Sequence, residues 1–214
     1  MKADLTFEYR LRDVGYCCIA GVDEAGRGAW AGPVVAGAVI LPLDRFDLGR
    51  ALATVNDSKQ LTAPAREALL PQIMEIAVAA GVGQASHAEI DELGIVPATR
   101  LAMQRALDAL SVAPDALLTD SIRLPQVTLP ITPLTKGDER SLSIAAASII
   151  AKVLRDQHMQ QLDAEYPQYG FLVNKGYGTA LHRKALRECG PSDVHRMSFA
   201  PMATLQQRAE DEQA

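Results

Sequence analysis

The segment from Gly21 to Gly28, with the sequence GVDEAGRG, constrains the structure of this chain more than any other. The apolar residues from Tyr16 to Val22 predict a buried strand, and the carboxylates of Asp23 and Glu24 follow directly. Burying two carboxylates costs free energy unless a positive charge lies beside them. Either both side chains are solvated turn residues, or the strand ends in a site that attracts a cation.

The loop after these acids places Arg27 between Gly26 and Gly28. Such a loop lets backbone N–H groups approach a phosphate or sugar closely while the arginine pairs with the phosphate. It is not a P-loop, because no lysine and Ser/Thr pair follows the second glycine, and the chain has no GxGxxG fingerprint. The alternative is that both glycines only provide backbone freedom.

Two more acids come after predicted strands. Asp120 follows the apolar residues from Ala116 to Thr119, and Asp138 lies between a strand and a long helix. Active sites of α/β proteins lie at the carboxyl ends of strands. Taken alone, Asp120 is typical of an Asx turn and Asp138 of a helix N-terminus. Both are candidates for a site shared with Asp23 and Glu24.

Convergence of the four acids would require something that offsets their charge. Two carboxylates about 4 Å apart repel each other by about 4 kcal/mol at an effective dielectric constant of about 20. Shared protons or a divalent cation would offset this repulsion, and all-oxygen ligands favour Mg²⁺ or Mn²⁺. An acidic metal cluster beside basic loops suits phosphodiester hydrolysis, so we predict a metal-dependent nuclease.

The charge distribution allows a nucleic-acid substrate despite an acidic total. The net charge of −5 argues, taken alone, against nucleic-acid binding. Residues 171–200, however, contain two anions against five cations, namely Lys175, Arg183, Lys184, Arg187 and Arg196. This local excess predicts a basic surface, on which Arg183 and Arg187 are the candidate duplex contacts.

Periodicity and capping residues predict an α/β fold with a mixed sheet. Val34 to Leu41 predicts a second strand, and Val127 to Thr132 predicts a strand that Pro130 restricts to a sheet edge. A long helix with a buried first half is predicted from Ser141 to Ala164. Shorter helices are predicted after four capping or helix-initiating residues, namely Thr62, Ser86, Pro97 and Thr179.

Several other side chains have a structural and a functional interpretation. Tyr177, between two glycines, either packs internally or stacks on a base or sugar. Lys59 either belongs to a turn or contacts phosphate. His158 and His182 are interpreted as surface residues, and the three cysteines as small core residues, because their spacing suggests neither a disulfide nor a zinc site. The absence of a signal-peptide pattern or a long apolar run predicts a cytoplasmic protein.

Taken in order along the chain, these motifs resemble prokaryotic ribonuclease HII over nearly the whole length. The segments that carry the resemblance are GVDEAGRG, GPVVAGAVIL, NDSKQLT, DELGI, LAMQRAL, KGD with SLSIAAASIIAKVLRD, YPQYGF, KGYGT and HRMSF. The resemblance implies an α/β, ribonuclease H-like fold in which helices flank a mixed five-stranded sheet. It implies a monomer with a catalytic domain over residues 1–165 and a C-terminal helical substrate-binding extension and tail over residues 166–214.

The activity that this resemblance implies is endonucleolytic hydrolysis of the RNA strand of RNA–DNA hybrids. It includes cleavage at ribonucleotides embedded in duplex DNA, with 3′-hydroxyl and 5′-phosphate ends. The implied catalytic and metal-binding carboxylates, for Mn²⁺ or Mg²⁺, are Asp23, Glu24, Asp120 and Asp138. The implied substrate contacts are Gly26, Arg27 and Gly28 at the ribose 2′-hydroxyl and its phosphate, Lys59 at a phosphate, and Tyr177 at the sugar of the RNA-to-DNA junction.

Three departures from the family pattern bear on this interpretation. Ser121 follows Asp120 where glycine is common, Ala29-Trp30 replaces a more usual proline-containing pair, and Met197 stands where a basic residue is frequent. The β-carbon of Ser121 restricts a turn with positive φ. Two other functions stay open. One is another ribonuclease H-fold nuclease of the junction-resolvase type, which would share the acidic cluster without needing the Gly-Arg-Gly loop and the tyrosine. The other is a catalytically silent hybrid-binding module, which Ser121 makes conceivable.

Overall fold

A mixed five-stranded sheet forms the centre of the protein. The structure, a computed structural model, describes residues 3–55 and 61–200 together with Met202 and Thr204. The strands are β1 (Ile19–Ala25), β2 (Val34–Ile40), β3 (Ala79–Ala85), β4 (Ala116–Asp120) and β5 (Ile131–Leu134), in the order β3-β2-β1-β4-β5 across the sheet. β1, β4 and β5 are parallel, whereas β1–β2 and β2–β3 are antiparallel pairs. The predicted α/β fold with a mixed sheet is confirmed.

Eight α-helices surround this sheet in the part of the chain that the structure describes. They are α1 (Thr6–Asp13), α2 (Leu48–Ala51), α3 (Ala63–Ile76), α4 (His87–Leu93), α5 (Ile95–Asp108), α6 (Leu142–Glu165), α7 (Phe171–Asn174) and α8 (Ala180–Cys189). The predicted caps are present: Thr62 and Thr179 accept from backbone N–H groups, and Ser86 and Glu89 form both bonds of a capping box. Over the described residues, no helix combines the length and apolarity needed to cross a bilayer.

α6 lies against one face of the sheet at very short range. Its residues from Leu142 to Ala151 are all buried, as the sequence predicts. A β-carbon on Gly21 in β1, or on Gly37 in β2, would run into the backbone of this helix. The helix therefore passes directly across β2 and across β1, the strand that carries Asp23 and Glu24.

The opposite face of the sheet is covered by α5. Ala98, Ala102, Met103 and Ala106 of this helix are fully buried with apolar side chains of β1 and β2. A β-carbon on Gly83 of β3 would meet the α5 backbone. Each face of the sheet therefore has its own apolar core.

Residues after α6 pack on the same body through a third apolar cluster. Phe171 and Leu186 lie against Met159 of α6 and Ala31 of the loop that follows β1. The carboxylate of Asp91 in α4 also accepts hydrogen bonds from two backbone N–H groups of the C-terminal segment, at Met197 and Ser198. This packing brings the C-terminal segment next to the loop between β1 and β2.

Two strands differ from the predicted pattern. β3 was not predicted, because its sequence AAGVGQA contains two glycines and a single β-branched residue. β5 begins at Ile131 and not at Val127, because the Val127 N–H donates to Leu124 O in a turn. Its predicted position at the sheet edge is confirmed.

The burial expected for several side chains was wrong. Cys17 and Cys189 are exposed and Cys18 is half-buried, so the cysteines are not core residues. His182, expected at the surface, is fully buried. Its spacing of three and four residues from Ala185 and Leu186 puts it on the apolar face of α8.

Candidate active site

Three acids meet where three parallel strands end. Asp23 lies near the end of β1, Asp120 is the last residue of β4, and Asp138 lies in a single 3-10 turn after β5. Val22 pairs with Thr119, so Asp23 and Asp120 are adjacent along the β1–β4 ladder. The parallel pairing of these strands brings together acids that are far apart in sequence.

The three carboxylates are close enough to share one ion. One oxygen from each of Asp23, Asp120 and Asp138 lies within 4.8 Å of the other two. Asp23 and Asp138 are buried, and Asp120 is half-buried. Oxygen-only donors at this spacing fit a hard divalent cation such as Mg²⁺ or Mn²⁺.

The surroundings of Asp23 within the protein strongly disfavour its charged form. Burial, together with the nearby charges of Glu24 and Asp120, holds the pKa of Asp23 well above its usual range. Hydrogen bonds from Ser148 and from the Glu24 N–H, at 2.8 Å, only partly oppose this effect. A cation or a proton is needed to compensate the cluster.

Glu24 lies beside this cluster and is held by an ion pair. Its Oε1 is 3.2 Å from Nη1 of Arg27, while its buried Oε2 has no hydrogen-bond partner among the described residues. Burial raises the pKa of Glu24, against the lowering effect of Arg27. The free oxygen fits a further ligand position for a cation.

Asp120 is positioned by a strained turn. Its Oδ1 accepts from the Gly137 N–H at 2.9 Å and lies 3.3 Å from the Ser121 hydroxyl. Ser121 has a φ of 60°, so this residue adopts a left-handed backbone conformation that favours glycine. The strain costs roughly 1–2 kcal/mol but leaves the carboxylate within the cluster.

The loop from Gly26 to Gly28, here called the GRG loop, forms one wall of a cleft of about 300 Å³ that contains Asp23, Glu24 and Asp120. Gly26 is buried with a φ of 92°, and a β-carbon there would run into the Arg155 guanidinium. Gly28 is exposed, has no positive φ, and a β-carbon there would meet nothing within 4 Å. The fold thus requires glycine at Gly26 but not at Gly28.

Two fully buried arginines hold the backbone around this loop. Arg155 of α6 donates to Pro33 O at 3.0 Å, and Arg196 donates to Gly32 O at 3.0 Å and Arg27 O at 2.9 Å. Arg196 therefore cannot belong to the basic surface that the sequence predicted. Burial lowers the pKa of Arg196 to about 9, a sign of how costly its charge is there.

Tyr177 also lines this cleft. The residue is 36% exposed, and the guanidinium carbon of Arg155 lies 5.3 Å from the ring centroid. The structure therefore brings Tyr177, the GRG loop and the acids to one cleft, although Asp138 is not part of its wall.

Sequence reasoning missed two side chains of this cleft, Ser148 and Lys152 of α6. Their spacing of four residues puts both on one helix face, which was the available signal. Lys152 is half-buried and its Nζ lies 3.4 Å from an oxygen of Asp156. Burial lowers the pKa of Lys152, although Asp156 opposes the shift.

Arg183 and Arg187 do not line this cleft. Arg183 and Arg187 are exposed on α8, and Arg183 donates from both Nε and Nη2 to Gly178 O. Lys59 lies outside the described residues, so its predicted phosphate contact stays a prediction.

Comparison with known proteins points to one family. Residues 20–202 match the family model described as Ribonuclease HII. The protein named Ribonuclease HII from Chloroflexus aurantiacus is 55% identical over 94% of this chain and 95% of its own length. The one from Chloroflexus aggregans is 53% identical over 96% of this chain and 97% of its own length.

Solved structures have the same fold. Ribonuclease H2 from Pyrococcus horikoshii has a TM-score of 0.76 at 26% identity, covering 90% of this chain and 98% of that one. The RNase HII of the PCNA:RNase HII complex from Archaeoglobus fulgidus has a TM-score of 0.72 at 29% identity, covering 85% and 95%.

Proposed function

The chain belongs to the ribonuclease HII family, and we propose that it cuts DNA duplexes at embedded ribonucleotides, leaving 3′-hydroxyl and 5′-phosphate ends. Membership establishes the broader activity: the protein is a metal-dependent endoribonuclease that hydrolyses the RNA strand of RNA–DNA hybrids. The observation that carries the finer proposal is the cleft in which the acids face both the GRG loop and Tyr177.

In this proposal the divalent cation is held by Asp23, Asp120 and Asp138. Glu24 contributes its unpartnered oxygen as a further ligand. The 4.8 Å grouping of the three oxygens and the raised pKa of Asp23 support this assignment. A bound Mg²⁺ or Mn²⁺ supplies activation of water and stabilisation of the leaving oxygen. The protein contributes a site whose ligands are fixed by strand ends and by the Gly137 N–H.

The GRG loop and Tyr177 recognise the ribose. A 2′-hydroxyl both donates and accepts, so a closely approaching backbone can distinguish it from deoxyribose. Gly28 supports this role, because nothing inside the protein requires glycine there. Arg27 is exposed on the same loop and pairs with phosphate, while the half-exposed Tyr177 ring packs on the sugar at the junction.

The remaining parts of the proposal concern the protein as a whole. Residues 1–165 carry the catalytic site, and residues 166–214 form the substrate-binding extension, which supplies Tyr177 and the exposed Arg183 and Arg187. Lys59 contacts phosphate. The protein acts as a monomer in the cytoplasm.

Cleavage of a matched duplex series tests the proposal. Duplexes with zero, one and four ribonucleotides are incubated with millimolar Mg²⁺ or Mn²⁺, and the product ends are identified. We expect cleavage only where ribose is present, and near-complete loss in Asp23→Asn, since this variant removes one carboxylate without changing side-chain size. Asp108→Asn, at the exposed end of α5, is the control.

Each alternative function gives a different result in this series. Cutting of the ribose-free duplex would indicate a junction-resolvase type of nuclease. Binding without cleavage at either metal would indicate a silent hybrid-binding module. Activity retained in Asp23→Asn would remove Asp23 from the catalytic site.

A further inference from the structure

The turn that carries Tyr177 is held by hydrogen bonds to its backbone carbonyls. Each of four consecutive carbonyls, from Lys175 to Gly178, accepts from a group outside the turn. The donors come from α6, the loop after β1, and α8; they are Arg155 to Lys175 O, the Trp30 N–H to Gly176 O, His182 to Tyr177 O, and Arg183 to Gly178 O. The backbone of Tyr177 is therefore placed by three separate elements.

His182 differs from the other donors because its ability to donate depends on its tautomer. Its Nδ1 lies 3.1 Å from Tyr177 O, and its Nε2 lies 2.9 Å from Nε2 of His195. Both rings are buried, at 0% and 1% exposure. Between two neutral imidazoles, one of the facing nitrogens must carry a proton and the other must not.

Ser192 decides which nitrogen carries that proton. The Ser192 N–H donates to Nδ1 of His195 at 2.9 Å, so this nitrogen is unprotonated and the His195 proton is on Nε2. His195 then donates to Nε2 of His182, which leaves the His182 proton on Nδ1, facing Tyr177 O. The hydrogen bonds run in one direction from Ser192 to Tyr177.

We propose that His182 and His195 are positioning residues for ribose recognition. The N–H of Ser192 fixes the tautomer of His195, which fixes the tautomer of His182, and His182 then donates to the carbonyl of Tyr177 and so holds the tyrosine ring in the cleft. This inference rests on the proposed role of Tyr177. The surroundings of the pair support neutral rings, because the aromatic rings of Tyr169 and Phe171 pack against it edge-on or tilted, with centroids 4.7 Å and 5.7 Å from that of His195. Burial lowers the pKa of His182 and of His195, the latter to about 4.

Two variants of His182 separate donation from packing. Asn at this position keeps an N–H near the place of Nδ1, whereas Leu removes the donor at similar volume. We expect His182→Leu to lower kcat/KM on the one-ribonucleotide duplex by up to about tenfold, because Tyr177 O then loses one of its two hydrogen bonds and keeps only the one from the Thr179 N–H, at 2.7 Å. His182→Asn should stay within about threefold of the parent. Affinity for the ribose-free duplex should change little in either variant.

Two variants of His195 test whether this residue determines which nitrogen of His182 is protonated. His195→Gln keeps a donor near the place of Nε2, whereas His195→Leu removes it. Nitrogen-15 NMR of the His182 ring should show the Nδ1-protonated form in the parent and in His195→Gln, and a mixture of tautomers in His195→Leu. Thermal denaturation of all four variants checks that they fold.

The outcomes distinguish this inference from the function on which it depends. Tyr177→Ala should cleave the one-ribonucleotide duplex poorly; parent-like cleavage would remove the proposed role of Tyr177 itself. If Tyr177→Ala is impaired while His182→Leu is not, the positioning inference alone is wrong. Equal loss in His182→Leu and His182→Asn would make the ring a packing residue, and an Nε2-protonated His182 in the parent would overturn the inference without any variant.

Discussion

Replacing Gly28 by alanine tests whether a substrate backbone comes close to the GRG loop. The added methyl group would project into open space, since no protein atom lies within 4 Å of a β-carbon at this position. Alanine at a backbone angle that it can adopt stabilises a protein by about 0.4–1 kcal/mol through the unfolded state. Stability should therefore stay the same or rise slightly.

The same methyl group would stand between the loop and a sugar held against it. Loss of one hydrogen bond to the 2′-hydroxyl costs about 1–1.5 kcal/mol, which is about a tenfold reduction in kcat/KM on a duplex with one ribonucleotide. Steric displacement of the sugar would add to this reduction. Gly28→Ala should thus be a stable protein with impaired cleavage.

Gly26→Ala is the matched control, because there the fold itself requires glycine. A φ of 92° costs alanine roughly 1–3 kcal/mol, and the β-carbon would also displace the Arg155 guanidinium. A loss of about 2 kcal/mol corresponds to a Tm lower by roughly 4–8 °C in a chain of this size. Tm and kcat/KM are measured for both variants. If Gly28→Ala cleaves the one-ribonucleotide duplex as fast as the parent, no substrate backbone or sugar approaches this residue and our account of ribose recognition fails.

Four further predictions concern other parts of the molecule. Ser121→Gly should raise the free energy of unfolding by up to about 1.6 kcal/mol in urea denaturation, because relief of about 1–2 kcal/mol of strain is offset by about 0.4–1 kcal/mol of added unfolded-state entropy. Asp23→Asn should raise the Tm in chelator, because a buried, repelled carboxylate is removed; a lower Tm would argue against repulsion in the cluster. Arg187→Ala should reduce the slope of log affinity against log salt by about 1 for all duplexes, and an unchanged slope would exclude a phosphate contact. Burial lowers the pKa of His195 to about 4, so between about pH 6.5 and pH 4 the unfolded chain binds more protons than the folded protein does. The free energy of unfolding therefore falls as the pH is lowered through that window. His195→Gln should reduce this fall by at most about 3 kcal/mol.

Sequence patterns predicted much of the fold where the interactions behind them join residues close together in the chain. The capping box at Ser86 and the buried first half of α6 need only a few neighbouring residues to be recognised. β3 could not be predicted in this way, because its glycines make room for the backbone of α5, a helix that follows it in the chain. Periodicity carries no information about such a contact.

In the candidate site, too, local sequence identified residues but could not predict contacts between distant parts of the chain. The acids could be named because each one follows an apolar strand, yet their grouping depends on the parallel pairing of β1 with β4 and β4 with β5. Arg196 was assigned to the surface by charge alone, but the carbonyls that bind it belong to Arg27 and Gly32, far away in sequence. Charge counting cannot show that a cation has been buried by backbone acceptors.

The long-range bonds of Arg196 also give the site an order of assembly during translation. Arg27 and the Arg196 side chain that binds its carbonyl are 169 positions apart. A ribosome makes the GRG loop early, but β1 has no parallel neighbour until β4 emerges, and the loop has no donor from Arg196 until that residue is translated. A partly synthesised chain therefore carries the acids of a nuclease without the geometry of one. The hydrogen bond that holds the GRG loop to the C-terminal segment can therefore form only after Arg196 has been synthesised.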